Sequence, residues 1–182
     1  MNVLSIQPTP NPLAYKFVVN QVLQADGSRY YNNPAEAASD PLGTALFAIP
    51  GVTTVYFAQD FATITSAEGS NIETLHQQVG EVLKTHEGGT SAPATDSPSM
   101  VEAVTDDSEL LNSINAMLDD RVRPALAGDG GGLQIIRLES KVLTIQYEGA
   151  CGTCPSSIAG TLAAIQNLLQ SEVDEELSVV SG

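Results

Sequence analysis

Between His86 and Val104 the chain runs through Gly88-Gly89-Thr90-Ser91-Ala92-Pro93-Ala94-Thr95-Asp96-Ser97-Pro98. This stretch has no hydrophobic period and almost nothing to bury. Such a segment cannot recover its ordering entropy through packing, so it reads as a flexible tether. It divides the 182 residues into two units that must each build a core: residues 1–87 and 106–182, with 88–105 as the linker. Twenty residues of this composition have a typical end-to-end distance of roughly 25 Å. The units can therefore move independently over that range.

In the first unit, residues 3–7 predict a short strand. Pro8-Thr9-Pro10-Asn11-Pro12 cannot continue it, because three prolines remove three donors. Tyr15 to Leu23 is β-rich and predicts a second strand, closed by a turn at Asp26-Gly27-Ser28. Asn33-Pro34 and Asp40-Pro41 both predict helix starts, a capping side chain followed by proline at the first position. The second start leads into Leu42, Ala45, Leu46 and Ile49, and Pro50-Gly51 ends that helix. Val52–Phe57 and Phe61–Thr65 form a hairpin around Ala58-Gln59-Asp60. Asn71 caps a helix with Ile72, Leu75, Val79, Val82 and Leu83 on one face. The order strand–strand–helix–strand–strand–helix indicates an α+β domain.

The second unit opens with Asp106-Asp107-Ser108 capping a helix whose stripe is Leu110, Leu111, Ile114, Met117 and Leu118. Pro124 disfavours helix at the residue before it, which predicts an end near Arg123. Gly128-Asp129-Gly130-Gly131-Gly132 is a turn. It lacks the Lys-Ser/Thr of a phosphate-binding loop, and it precedes a strand where a dinucleotide loop would open a helix. Leu133–Leu138 and Val142–Tyr147 predict a hairpin around Glu139-Ser140-Lys141. Leu143, Ile145 and Tyr147 share one face of its second arm, and Thr144, Gln146 and Glu148 the other. After the cysteine loop a helix buries Ile158, Leu162, Ile165 and Leu169, and Leu177–Val180 adds a last short strand. The fold class is thus two small α+β domains joined by a flexible linker.

Both cysteines of the chain lie in Gly149-Ala150-Cys151-Gly152-Thr153-Cys154-Pro155-Ser156-Ser157, between a strand end and a helix start. Pro155 suits the first helical position. The free N–H groups and positive end of the helix then lie close to both sulfurs and favour thiolate over thiol. Two such thiolates make half of a four-sulfur metal site. The same pair could serve a thiol–disulfide oxidoreductase, or bind zinc as a bridge between two chains. It could also be two small core residues. The oxidoreductase reading has the wrong context, because a hairpin precedes the motif, little chain follows, and no Trp stands beside it. His76 and His86 have no cysteine nearby in sequence and read as solvated or capping. Asp119-Asp120 and Glu172–Glu176 read as exposed charges.

Composition narrows the partners. The formal net charge is −15, with seven Lys and Arg in all. That is too few to build a phosphate-binding stripe, so nucleic acid is not expected. No apolar run approaches the ~20 residues of a membrane span. The start, Met1-Asn2-Val3-Leu4-Ser5-Ile6, lacks the pattern of a signal or transit peptide, which points to the cytoplasm. In a reducing compartment a close cysteine pair serves metal or redox chemistry and not a disulfide framework.

Arg121-Val122-Arg123-Pro124-Ala125-Leu126-Ala127-Gly128-Asp129-Gly130-Gly131, the hairpin and the CxxC helix start together resemble the NifU-like C-terminal domain, over about residues 106–180. Thr9-Pro10-Asn11-Pro12, Lys16-Phe17, Pro41-Leu42, Leu46-Phe47, Ile49-Pro50-Gly51-Val52, Val55-Tyr56-Phe57 and Asp60-Phe61 resemble the N-terminal domain of Nfu-type proteins. The resemblance implies an iron–sulfur cluster scaffold or carrier and not an enzyme. Cys151 and Cys154 from each of two subunits would hold one [4Fe–4S] cluster, making a homodimer on cluster binding. The cluster would pass to apo iron–sulfur client proteins, with the N-terminal domain docking a client or another cluster-assembly factor. One departure is Gly132, where the family commonly has an acidic residue.

Overall fold

The computed structural model describes residues 1–86, 108–153 and 155–182, without the side chains of residues 26, 108, 151, 153, 155–157 and 159. The expected linker 88–105, the capping pair Asp106-Asp107 and Cys154 lie outside the described residues. The chain divides into two compact α+β units, residues 1–95 and 96–182.

The N-terminal unit runs β1 (Val3–Pro8), β2 (Ala14–Val19), β3 (Gln24–Tyr31), α1 (Pro41–Phe47), β4 (Val52–Gln59), β5 (Phe61–Ser66) and α2 (Ile72–Thr85). Its sheet has the order β1-β2-β5-β4-β3, with every pairing antiparallel. Phe17, Val19, Val55, Phe57, Ala62 and Ile64 line one face. Leu42, Leu46 and Ile49 around α1, and Leu75, Val79 and Leu83 on α2, close over it. Burial of these side chains drives the unit's assembly. The prolines after β1 are held in a tight turn, in which the Thr9 hydroxyl donates to the carbonyls of Asn11 and Ala14 at 2.9 Å.

Both helix caps form as the sequence indicates. Asp40 accepts from the Leu42 and Gly43 amides at 3.0 and 3.2 Å, and Asn71 accepts from Thr74 at 3.0 Å. At Asn33-Pro34 the outcome is smaller. Asn33 accepts from the Glu36 amide at 3.1 Å, but only a 3-10 turn, Glu36–Ser39, follows.

Three expectations for this unit are corrected. The second strand ends at Val19 and not Leu23, and Val22 is exposed. Asp26-Gly27-Ser28 is not the close of that strand but lies within β3, a strand the sequence reading missed. Against β4 the register shifts between Gln24 and Ser28, and Gly27 adopts φ 70°. The turn residues are thus absorbed as a bulge, and Arg29, Tyr30 and Tyr31 pair with Phe57, Tyr56 and Val55. Ile72, placed on the buried face of α2, is exposed.

The C-terminal unit runs α3 (Ser108–Met117), a π-helical segment (Leu118–Val122), α4 (Arg123–Gly128), β6 (Gly131–Glu139), β7 (Val142–Gly149), a 3-10 turn (Ala150–Thr153), α5 (Pro155–Glu172) and β8 (Ser178–Ser181). The helix does not end before Pro124. Proline would clash with the carbonyl four residues back in an α-helix. The π segment widens the turn there, and Pro124 enters α4 in its first turn. β6 and β7 pair antiparallel and β8 pairs parallel to β7. Ser140 and Lys141 both take positive φ, the geometry of a two-residue primed hairpin turn. Ile114, Leu118, Val122 and Leu126 pack on Leu133, Leu143, Ile145 and Tyr147, together with Ile165 and Leu169 of α5.

Candidate metal centre

β7 ends at Gly149, whose φ of 64° turns the chain into the Ala150–Thr153 3-10 turn. α5 starts directly after, at Pro155. The backbone of Cys151 therefore sits in a short turn between a strand end and a helix start, as the sequence indicates. Cys154, the other expected ligand, lies outside the described residues, as does the side chain of Cys151.

The glycine run packs against this turn. Gly128 ends α4, Gly130 has φ 78°, and the Gly130 carbonyl accepts from the Ala150 amide at 3.2 Å. Gly131 then pairs with Gly149, and Gly132 with Glu148. Glycine is needed at 130 and 149 because their backbone lies in the left-handed region. Ala150 itself is buried. The hairpin's first and last residues and the cysteine turn are thus a single backbone-bonded unit.

One residue of this unit differs from its expected setting. Alternation places Glu148 on the polar face of β7, yet it is only 4% exposed, and Thr144 on the same face is also buried. Gly132 is its partner across the sheet. The signal in the sequence was a glutamate inside a strand and directly before a glycine, which strand periodicity alone cannot separate from a solvated position.

The remaining charged groups lie elsewhere. At the far end of the hairpin Lys141 binds Asp174 at 3.0 Å and also Glu176. These hydrogen bonds raise the lysine's pKa, while the Glu176 amide and Lys141 lower that of Asp174. The run Glu172–Glu176 is therefore partly a clamp and not only a solvated stretch. Asp119 pairs with Arg123 at 2.5 Å. His86 caps α2, its amide donating to Val82 at 3.2 Å. His76 is half-buried and not fully solvated. It stands edge-on to Tyr15 and Phe17, with ring centroids 4.5 and 5.6 Å away, and burial lowers its pKa. Among the described residues no group of three His, Cys, Asp or Glu could hold a metal ion. None of their helices is long and apolar enough to cross a membrane.

Residues 4–88 match the family model described as the scaffold protein Nfu/NifU N-terminal domain, and residues 114–180 match the NifU-like domain. The chain belongs to the Nfu/NifU family. Similar Nfu-type relatives are the proteins named "NFU1 iron-sulfur cluster scaffold homolog, mitochondrial" of Drosophila sechellia and Drosophila erecta. They are 32% and 33% identical, over 97% of this chain and 63% of theirs. The chain thus spans less than two thirds of the length of these relatives. A crystal structure of protein SAV1430 from Staphylococcus aureus is 22% identical, with a TM-score of 0.41, over 46% of this chain and 99% of that one. In this Nfu/NifU chain the two matched domains lie in the same order as the two α+β units.

Proposed function

We propose that this protein is an iron–sulfur cluster carrier that receives a [4Fe–4S] cluster as cargo and delivers it to apo-proteins. The observation that carries this reading is the Cys151 turn, pinned by Gly130 and set between β7 and α5 in a chain of the Nfu/NifU family. The names of the Drosophila relatives support it. Cys151 and Cys154 are the proposed ligands. A cubane takes four thiolates, and one chain offers two, so two copies would share the cluster and form a homodimer around it. An interface-held cluster can leave when an incoming client thiolate replaces one protein ligand. The protein then acts by binding and release and not as an enzyme.

The linker 88–105 would let the domain 1–87 hold a client or another cluster-assembly factor while the domain 106–182 approaches, raising effective concentration. The proposed compartment is the cytoplasm. Its reducing thiols keep a CxxC pair available to metal, and the mitochondrial naming of the relatives makes organelle fractionation the check.

Anaerobic reconstitution should give a broad brown absorbance, with about four iron and four sulfide per dimer. Cys151→Ala or Cys154→Ala should each abolish it. Full cluster retention in either variant overturns the ligand assignment. Stoichiometric zinc in protein purified without air would favour a zinc-bridged interaction protein. Disulfide reduction by the metal-free protein would favour an oxidoreductase.

A further inference from the structure

The sheet of the N-terminal unit has two edges, β1 and β3. β3 is guarded: its register against β4 shifts between Gln24 and Ser28, and it carries Asp26 and Arg29 within the strand. β1 reads Val-Leu-Ser-Ile-Gln-Pro and has no charge. Its Leu4 and Ile6 are 66% and 40% exposed. A register shift between Val3 and Ser5 and the closing Pro8 keep the regular stretch short. An edge strand leaves alternate backbone N–H and C=O groups open to another strand, and charged side chains are a common device against such pairing. α2 runs beside this edge. Ile6 pairs with Phe17, and the Phe17 ring centroid is 5.6 Å from that of His76. The Met1 amine donates to the carbonyls of Leu83, Lys84 and His86. β1 therefore runs opposite in direction to α2. At ~3.3 Å per strand residue and ~1.5 Å per helix residue, Ser5 stands level with the middle of the helix. Glu73 in the first turn and Lys84 in the last lie about three turns apart, and so on one side of α2. Both are exposed, and neither joins an ion pair among the described residues.

We propose that β1 is a self-association edge, on which a second copy of this chain pairs its own β1 antiparallel, joining the two five-stranded sheets. Charge favours a copy as the occupant. A strand without charged side chains can face itself in a chain of net charge −15 without setting like charges opposite each other. Two-fold pairing about Ser5 places Leu4 of each copy across from Ile6 of the other, which covers both exposed side chains. The same axis crosses α2 midway between Glu73 and Lys84, so each glutamate meets the lysine of the other copy. The contact is small, and the association is therefore reversible and concentration-dependent. It does not depend on the carrier reading. For a carrier, copies joined in this way bring both cysteine pairs to a raised effective concentration before iron arrives.

The test is sedimentation equilibrium on the full chain, metal-free and reduced. The mean mass should climb from one chain toward two as concentration rises. Leu4→Lys/Ile6→Lys should stay at one chain throughout. Both side chains are exposed, so the variant keeps its fold, which far-UV circular dichroism checks. Glu73→Lys should weaken association about two- to fivefold, and Glu73→Lys/Lys84→Glu should restore it. Failure of that rescue overturns the antiparallel arrangement. Cys151→Ala should associate like the parent, and a dimer lost in this variant is held at the cysteine turn and overturns the proposal. A parent that is one chain at every concentration overturns it, as does a dimer untouched by Leu4→Lys/Ile6→Lys. Shifted β1 amide resonances when an apo-ferredoxin is added to a monomeric parent would give the edge to another protein, which also overturns self-pairing. A dimerising protein that takes up no cluster sinks only the carrier reading.

Discussion

The Ala150 amide donates to the Gly130 carbonyl at 3.2 Å, so the cysteine turn and the glycine turn hold each other in place. Neither turn has regular secondary structure of its own beyond a few residues. Their shared bond, with the Gly131–Gly149 pair beside it, converts two loops into the end of a sheet.

Gly149 is the residue most exposed to a test of this arrangement. At φ 64° a Cβ costs about 1–2 kcal/mol. Gly149→Ala should lower the urea midpoint of the C-terminal unit by a corresponding amount and reduce the iron bound on reconstitution. An unshifted midpoint with full iron loading would show that the turn tolerates a side chain.

In the N-terminal unit Asp40 carries more than a cap. It accepts from Arg29 at 2.6 Å and from the Tyr31 hydroxyl at 3.0 Å, while its other oxygen caps α1. The ion pair is buried on both sides. Removing one partner of a buried pair costs about 3–5 kcal/mol. Asp40→Ala should therefore unfold this unit at a much lower urea concentration, followed by far-UV circular dichroism. Asp40→Asn, which can still cap the helix, should lose less than Asp40→Ala. Near-parent stability in both would contradict the structure.

His76 gives the N-terminal unit a pH dependence. Burial lowers its pKa below the ordinary 6.5, and its Nε2 is buried without a hydrogen-bond partner among the described residues. The unfolded state then binds protons more readily than the folded one, so stability rises with pH. The contribution is fully present above about 6.5 and is lost as pH falls through the folded value. Melting of the N-terminal unit should be lower at pH 5 than at pH 7.5, and His76→Phe should flatten that difference. A pH-independent melt in the parent would count against the burial.

The Lys141 clamp behaves in the opposite sense at its two partners. The lysine pKa is raised above 10.5, so its contribution is complete below that value and is lost as pH climbs through the folded one. The Asp174 pKa is lowered below 3.8, so its contribution is complete above that value and is lost in acid. The clamp should thus act throughout the neutral range. Lys141→Met should remove part of the acid sensitivity of the C-terminal unit, with a small effect at neutral pH because the pair is solvent-exposed and screened. Added salt should shrink that difference, and an effect independent of salt would argue for packing instead.

Much of the fold is legible residue by residue. Asp40-Pro41 and Asn71 are local capping signals and form as local signals should. Leu75, Val79 and Leu83 reach the core because a 3.6-residue period defines one face. Asp26-Gly27-Ser28 misleads, since turn chemistry fits a bulge as well as a loop, and only the partner strand β4 decides which one forms. Pro124 misleads in the same way. Its ring excludes an ordinary α turn but not a widened one, and Val122 and Leu126 must still reach the core on either side of it.

Two α+β units, the caps at Asp40 and Asn71 and the place of the Cys151 turn between a strand and a helix follow from the residues alone, because each rests on nearest-neighbour preferences or on periodicity. The tertiary structure alone decided that β3 completes the first sheet, that Gly130 secures the cysteine turn, and that Glu148 is buried opposite Gly132. Those three depend on which strands pair and in what register, and pairing joins residues whose separation along the chain leaves no local trace.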